Sequence, residues 1–570
     1  MTQLAELKQE YDNAIGELTK EGAMFELGSM QHNGHDYTIY KNAPETMLPH
    51  LDSGRAHGDK EFLVYEGERY TYNEVYAAAD SLANALAKDF NIGTGDRVAI
   101  AMRNYPEWIV GFLGIAYTGA TIVPLNSWGQ KAELEYGLTD SEAKLVLIDE
   151  QRLSYVVDDL PAMGVQAIAV RTNNELLEKP NVSNYSELMG SHLGASVPVP
   201  AVSPDDLFLM LYTSGTTGRP KGAMTSHRAL SQAMYSFDVN AYACSMCNGE
   251  AVGKMLAKGY DQASLLAVPL FHMSGLHAGL LLGLRGGRKL VMMYKWEADK
   301  AIRLIEQERL TIFSVAPAML QEVFNSPVFD ETDTTSLFNI GAGGSATPPK
   351  VTEMIAEKVD SPYQGCGWGL TETNTSVCSF TGKAMAANPT SSGFVHPIVE
   401  LQARDDDGNV LPAGQAGVFW AKTIALIDGY WNRPDANAED FVDGWFCTGD
   451  IGYLDELGYV YLSDRAKDMI IRGGENVYPA EIEAAFFHHP AVSEAGVFAV
   501  PDDRLGEEVG AAVVLKTGMS ASEEELRELV AGLLARYKVP RYIWTRNEPL
   551  PRNPSGKILK KQLREEYAPD

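Results

Sequence analysis

The run Thr213-Ser-Gly-Thr-Thr-Gly-Arg-Pro-Lys-Gly222, inside "LYTSGTTGRPKGA" (Leu211–Ala223), packs three glycines, four hydroxyl side chains and one lysine into ten residues. Before it, "DLFLMLYTS" reads as an apolar strand; after it, a short "AMTS" precedes the helical "HRALSQAMYSF". Glycines let backbone N–H groups turn toward an anion, the hydroxyls add donors, and Lys221 adds positive charge. The run departs from the P-loop pattern G-x-x-x-x-G-K-[ST], whose lysine feeds directly into a helix. A flexible Gly/Thr-rich turn is the plain alternative, but so strong a bias toward anion donors points to phosphate.

Outward from this loop, strands alternate with helices. "YTYNEVYAAADSLANALAKDF" is a one-faced helix followed by the strand "RVAIAMR", and "AKLVLID", "LLAVPLF", "RKLVMM", "TIFSVAP" and "LFNIGAG" are further short apolar runs near helical segments. That alternation implies parallel sheets covered on both faces. Around residues 394–450 the texture becomes β-rich, with Gly and Asp turns. Near Asp464-Arg465-Ala466-Lys467 a compact third region begins. Its helix opens with the capping box Ser522–Glu525 and carries Leu526, Leu529, Val530, Leu533, Leu534 and Tyr537 as one apolar stripe. The expected fold is α/β: a large N-terminal domain of α/β subdomains plus a β-rich subdomain (1–463), a charged hinge (464–467) and a small α+β C-terminal domain (468–570).

At 570 residues the chain exceeds one hydrophobic core, and its formal charge of −29 disfavours a polyanion such as nucleic acid. Five cysteines, an odd count, fit a reducing compartment better than a disulfide framework. Cys244 and Cys247 have zinc-knuckle spacing without a second pair, so two ordinary thiols are expected. The uncharged span Trp108–Gly129 is long enough for a bilayer, but Pro124 and four glycines make a buried helix and strand the better reading. The charged, helix-patterned start is not a signal peptide, and a soluble cytoplasmic protein is expected.

The loop Thr213–Gly222 resembles the signature of the adenylate-forming (AMP-binding) superfamily, which includes acyl-CoA synthetases, non-ribosomal adenylation domains and luciferases. Other motifs follow in that superfamily's order: "GWGLTET" (Gly367–Thr373), "WFCTGDIGYLD" (Trp445–Asp455), "SDRAKDMIIRGGENVYPAEIE" (Ser463–Glu483) and "PRNPSGKIL" (Pro551–Leu559). The resemblance implies that Thr213, Ser214, Gly215, Thr216, Thr217, Gly218 and Lys221 hold ATP phosphates. It also implies that Glu372 and Thr216 serve Mg²⁺, and that Trp368, with Gly369 and Thr371, borders adenine. The superfamily usually has Tyr at the Trp368 position, a change of ring size that keeps stacking possible. Asp450 is implied to take the ribose hydroxyls and Arg465 to reach the ribose. Lys467 is the implied hinge, and Lys557 the catalytic lysine. "NIGAGGSATPPK" (Asn339–Lys350) satisfies a dinucleotide fingerprint through Gly341, Gly343 and Ala346. The resemblance instead makes Gly343, Gly344 and Ser345 a border of adenine and Gly341 part of the acyl pocket.

The implied reaction couples a carboxylic acid to ATP, forming acyl-AMP and pyrophosphate, then passes the acyl group to coenzyme A. Lys557 serves the first half; Gly473 and Gly474 line the thiol's approach in the second. "VPLFHMSGL" (Val268–Leu276) resembles the acyl-pocket motif. Amino-acid-activating relatives carry Asp where this chain has His272, so His272, with Met273 and Leu276, favours an apolar acid: aliphatic first, aryl or alicyclic second. Expected partners are thus the acid, ATP, Mg²⁺ and coenzyme A, with a homodimer as the assembly considered. Competing readings are transfer to a carrier protein, an oxidoreductase built on Gly341–Ala346, and a non-catalytic nucleotide binder. The oxidoreductase leaves the phosphate loop and Lys557 unexplained.

Overall fold

The computed structural model describes residues 2–194, 200–213, 220–342, 349–359, 363–473, 475–502, 504–553 and 556–567. A first sheet has seven strands in the spatial order Lys221–Ser226, Leu207–Thr213, Thr121–Pro124, Arg97–Ala101, Leu145–Asp149, Gln166–Val170 and Val182–Asn184. All neighbours are parallel except the first pair. The apolar span resolves into the helix Pro106–Ala116, buried at every position but Glu107, and the buried strand Thr121–Pro124. Among the described residues no helix is long and apolar enough to cross a membrane.

The second sheet is the larger. Its parallel half runs Glu61–Tyr65, Lys289–Met292, Ala263–Leu266, Ile312–Val315, Asn339–Ala342 and Tyr363–Trp368. From Cys378–Thr381 the same sheet continues antiparallel through Gly393–Val395, Tyr459–Arg465, Trp445–Leu454, Gly417–Lys422 and Glu400–Arg404. The β-rich stretch is therefore an extension of the second α/β sheet.

After Arg465 a turn hands the chain to a five-stranded C-terminal sheet: the amides of Asp468 and Met469 both donate to the Arg465 carbonyl, at 2.9 and 3.0 Å. This sheet packs on the helices Pro479–Phe486, Glu523–Leu533 and Lys560–Tyr567. The Ser522–Glu525 capping box forms in both directions. The apolar stripe is cut short, however. The helix ends at Leu533, which is half exposed; Leu534 is extended, and it and Tyr537 reach the core from beyond the helix.

Candidate active site

Loops leaving one end of parallel strands gather here, the crevice where open α/β sheets bind ligands. In the first of them the short "AMTS" that precedes the helix lies on a strand. Lys221–Ser226 is a strand antiparallel to Leu207–Thr213, with Thr213 opposite Lys221. The phosphate run therefore closes a β-hairpin, and the lysine stands on the return strand. This is why it does not lead into a helix as a P-loop lysine does; the helix His227–Cys247 starts only after Ser226 caps it. Ser214, Gly215, Thr216, Thr217 and Gly218 lie outside the described residues.

Lys221 is held by two residues that the motifs did not single out. Its ammonium lies 3.1 Å from an Asp440 carboxylate oxygen and 3.9 Å from the Tyr430 ring centroid. Tyr430 is bridged to Ala223 across the chain, and its hydroxyl donates to Glu372 Oε1 at 2.8 Å. One aromatic thus links the lysine implied to hold the phosphates and the carboxylate implied to hold Mg²⁺. Burial raises the Glu372 pKa, while the Tyr430 bond and the charges of Arg465 and Lys221 oppose the rise. Thr371–Thr373 form a single 3₁₀ turn carrying Glu372, and the next loop holds it: Ile427 N donates to Glu372 O at 2.9 Å. Gly369 is required at the loop's entry, because a Cβ there would lie 2.4 Å from the Thr375 carbonyl carbon.

Asp450 and Arg465 are direct partners across the antiparallel strands Trp445–Leu454 and Tyr459–Arg465. Arg465 Nε is 3.1 Å from Asp450 Oδ1, and Trp368 Nε1 donates to Oδ2 at 2.8 Å. Oδ1 accepts no hydrogen bond and is buried, a state that a ligand hydroxyl would relieve. Trp368 itself is only 9% exposed and packs on Phe419. The ring implied to border adenine thus lies mostly buried, and its N–H orients Asp450.

Lys557 enters from the C-terminal sheet's side of the molecule. Arg552 Nη1 donates to Gly556 O at 2.7 Å, and Lys557 N donates to Asn553 Oδ1 at 2.9 Å, so a tight hairpin presents the lysine. Gly556, at φ +84°, abuts the large domain: a Cβ there would sit 3.0 Å from Ala316 Cβ, just past the parallel strand Ile312–Val315. Burial, then the like charge of Arg465, lowers Lys557 to about 8; Lys467 adds to the fall, and Asp450 and Glu372 oppose it. Lys467, in the turn after Arg465, is likewise lowered by burial and by Arg465.

On the acyl side, burial and then Lys557 lower His272 to about 4, leaving it neutral near pH 7. Its ring lies 4.6 Å from that of Phe271. Met273 is buried in the main core with Leu270 and Leu276. A π-helix, Ser274–Leu281, follows immediately; such wide turns are rare and favour functional sites. Gly341 is half-buried on its parallel strand. Gly473 stands exposed in the turn joining the strands Ile470–Arg472 and Glu475–Val477, while Lys557 is the C-terminal residue whose charge meets Asp450 and Glu372. Gly343, Gly344, Ser345 and Gly474 lie outside the described residues.

Two α/β sheets whose loops converge on a lysine from a C-terminal domain are the architecture of adenylate-forming enzymes. The AMP-binding enzyme family matches residues 52–431 and its C-terminal domain matches residues 481–557, and the chain belongs to this family of acid–thiol ligases. It is 34% identical over 500 residues to the long-chain-fatty-acid–CoA ligase FadD13 of Mycobacterium tuberculosis, covering 88% of this chain and 93% of that one. The fatty acid–[acyl-carrier-protein] ligase ScoC of Streptomyces coeruleorubidus is 33% identical over 516 residues, covering 89% and 93%. Among solved structures, o-succinylbenzoate CoA synthetase (MenE) of Bacillus subtilis, in complex with the acyl-adenylate intermediate OSB-AMP, superposes with a TM-score of 0.73. That match has 29% identity and covers 90% of this chain and 97% of the other.

Proposed function

We propose that the protein activates an apolar carboxylic acid with ATP to acyl-AMP and pyrophosphate, then transfers the acyl group to coenzyme A, releasing AMP. A medium- or long-chain fatty acid is the first choice. The observation that carries this reading is Lys557 among Asp450, Arg465 and Glu372. A cation there can bridge the attacking carboxylate and the α-phosphate as charge develops between them. The chain supplies no nucleophile, so its work is orientation and charge stabilisation. Asp450, with one unbonded oxygen, takes the ribose; Lys221, released from Asp440, takes the departing pyrophosphate. Residues 468–570 then turn about Lys467, withdrawing Lys557 and bringing the Gly473-Gly474 turn to the thiol.

Glu372 would hold Mg²⁺ alongside phosphate oxygens, with Thr216 as the second ligand implied by the motif. A bound Mg²⁺ would neutralise charge on the triphosphate. Among the described residues no group of three or more His, Cys, Asp or Glu is assembled. That donor set fits a cation carried in on ATP and met by one carboxylate.

The substrate class rests on His272, neutral and half-buried beside Phe271, where an amine-binding reading would want a carboxylate. FadD13 supports a fatty acid and coenzyme A; MenE supports an aryl acid as the second choice, and ScoC supports a carrier protein as the other acceptor. Pyrophosphate release across fatty, aryl and alicyclic acids, with and without coenzyme A, and mass spectrometry of the product decide among them. Release with fatty acids and an acyl-CoA product is expected; no release with any acid overturns the ligase reading.

Asp440 gives a separate test of Lys221. Partly exposed ion pairs are worth up to ~1 kcal/mol, so Asp440→Asn should lower the ATP KM by up to about 5-fold and tighten pyrophosphate inhibition by a similar factor. An unchanged pyrophosphate inhibition constant would remove Lys221 from the leaving group.

A further inference from the structure

Glu372 is presented by a turn whose backbone is held against its own preference. Asn374 and Thr375 both lie in the left-handed region, at φ +48° and +61°. Asparagine tolerates this conformation better than most residues; a β-branched threonine rarely adopts it. Strain of this kind persists only where surrounding structure over-determines it, and it collects at functional sites.

The over-determination converges on Asn374, which is fully buried. Its Nδ2 donates to the Ala425 carbonyl at 2.9 Å, and its Oδ1 accepts from Thr225 Oγ1 at 3.2 Å. Its backbone carbonyl lies 3.3 Å from His277 Nδ1. Burial lowers His277 to about 4, so its ring carries one proton; with that proton on Nδ1 the ring donates to this carbonyl. Three separate elements therefore grip one residue: the return strand of the phosphate hairpin (Thr225), the π-helix after the acyl motif (His277), and the loop 423–427. That last loop also holds Glu372 O through Ile427 N.

We propose that Asn374 is a positioning residue for the first half-reaction. Resting on the ligase reading above, the inference is that its side chain locks the 371–375 turn so that the Glu372 carboxylate is aimed before ATP arrives, with Thr225 and His277 as braces. A group fixed by its supporting shell avoids reorganisation when charge develops. Because the braces come from the phosphate hairpin and the acyl motif, the turn also reports that both walls are in place. Of this turn only Thr371, at its start, belongs to the implied adenine border; Glu372, which Asn374 aims, is assigned to the phosphates, so AMP should depend on the lock less than pyrophosphate release does.

The test is Asn374→Gly, which keeps the left-handed backbone accessible and deletes all side-chain bonds, beside Thr225→Val, which removes one brace and leaves the turn's own sequence intact. Expected for Asn374→Gly is a fall of about 10–100-fold in kcat for pyrophosphate release, the range of outer-shell losses. Thioester formation from supplied acyl-AMP and the calorimetric affinity for AMP should change by less than about 3-fold, a band allowing for relaxation beyond the shell. Thr225→Val should show the same split with a fall of about 3–10-fold, one brace in place of the whole grip. Should Asn374→Gly fail to fold, Thr225→Val decides alone. Equal losses in both half-reactions, or in AMP affinity, would mean a general structural role and overturn the proposal. So would an unchanged rate beside an active wild type. A wild type inert with every acid overturns the ligase reading, and this inference with it.

Discussion

Replacing Lys557 by alanine is expected to cut pyrophosphate release about 10²–10³-fold, the size of effect seen when one preorganised transition-state donor is removed. Thioester formation from supplied acyl-AMP should remain near the wild-type rate. The split follows from the charges that act on Lys557, those of Arg465, Asp450 and Glu372, whereas in the proposed second half-reaction the lysine is withdrawn and a thiol approaches. Charge is the property that matters, and it titrates. Lys557 is lowered to about 8, chiefly by burial and then by Arg465. Its ammonium form is thus present below about pH 8 and is lost as the pH rises through that value. The ratio kcat/KM for ATP, which reports the free enzyme, should fall on the alkaline side with a midpoint near 8. In Lys557→Arg the guanidinium stays charged, so whatever activity survives should lose that alkaline limb. Persistence of the limb would assign it to another group; equal damage to both half-reactions by Lys557→Ala would remove the lysine from the adenylation step.

The order of the motifs and the alternation of strand and helix made the architecture readable, because local patterning carries both. The capping box at Ser522 is of this kind: four residues and two reciprocal bonds. What escaped was set by pairing between distant segments. Lys221 was legible as a phosphate ligand, but its strand is six residues long, too short for a period to declare itself, and only its register with Thr213 makes a hairpin of the loop. Tyr430 and Asp440 lie more than two hundred positions from Lys221, and nothing local in "DGYWNRP" marks the tyrosine as the link to Glu372. Asp450 and Arg465 could each be guessed singly; that they face one another required the sheet. Trp368 and Met273 are of types that suit a ligand wall and a core equally well, and the sequence alone does not show that both are buried.

Asp450→Ala should damage both half-reactions, in contrast to Lys557→Ala, because the proposed ribose contact serves ATP and acyl-AMP alike. A hydrogen bond to a charged group contributes ~1.5–3 kcal/mol, so the ATP KM should rise about 10–100-fold. Acyl-AMP should bind more weakly by a similar factor. Deleting the carboxylate also strands the Trp368 N–H, which donates to it at 2.8 Å in a buried setting. Asp450→Asn separates these effects, since its amide oxygen can still accept from Trp368 while the charge is gone. The charge has a second consequence. Asp450 raises the Lys557 pKa against burial and two like-charged neighbours, Arg465 and Lys467. Without it the lysine must ionise less readily still, and the alkaline fall in kcat/KM should move from about 8 to lower pH in both Asp450 variants. A raised KM with the limb left at its wild-type position would keep Asp450 at the ribose but break its coupling to the lysine. A shifted limb with an unchanged KM would leave the coupling and take the ribose away.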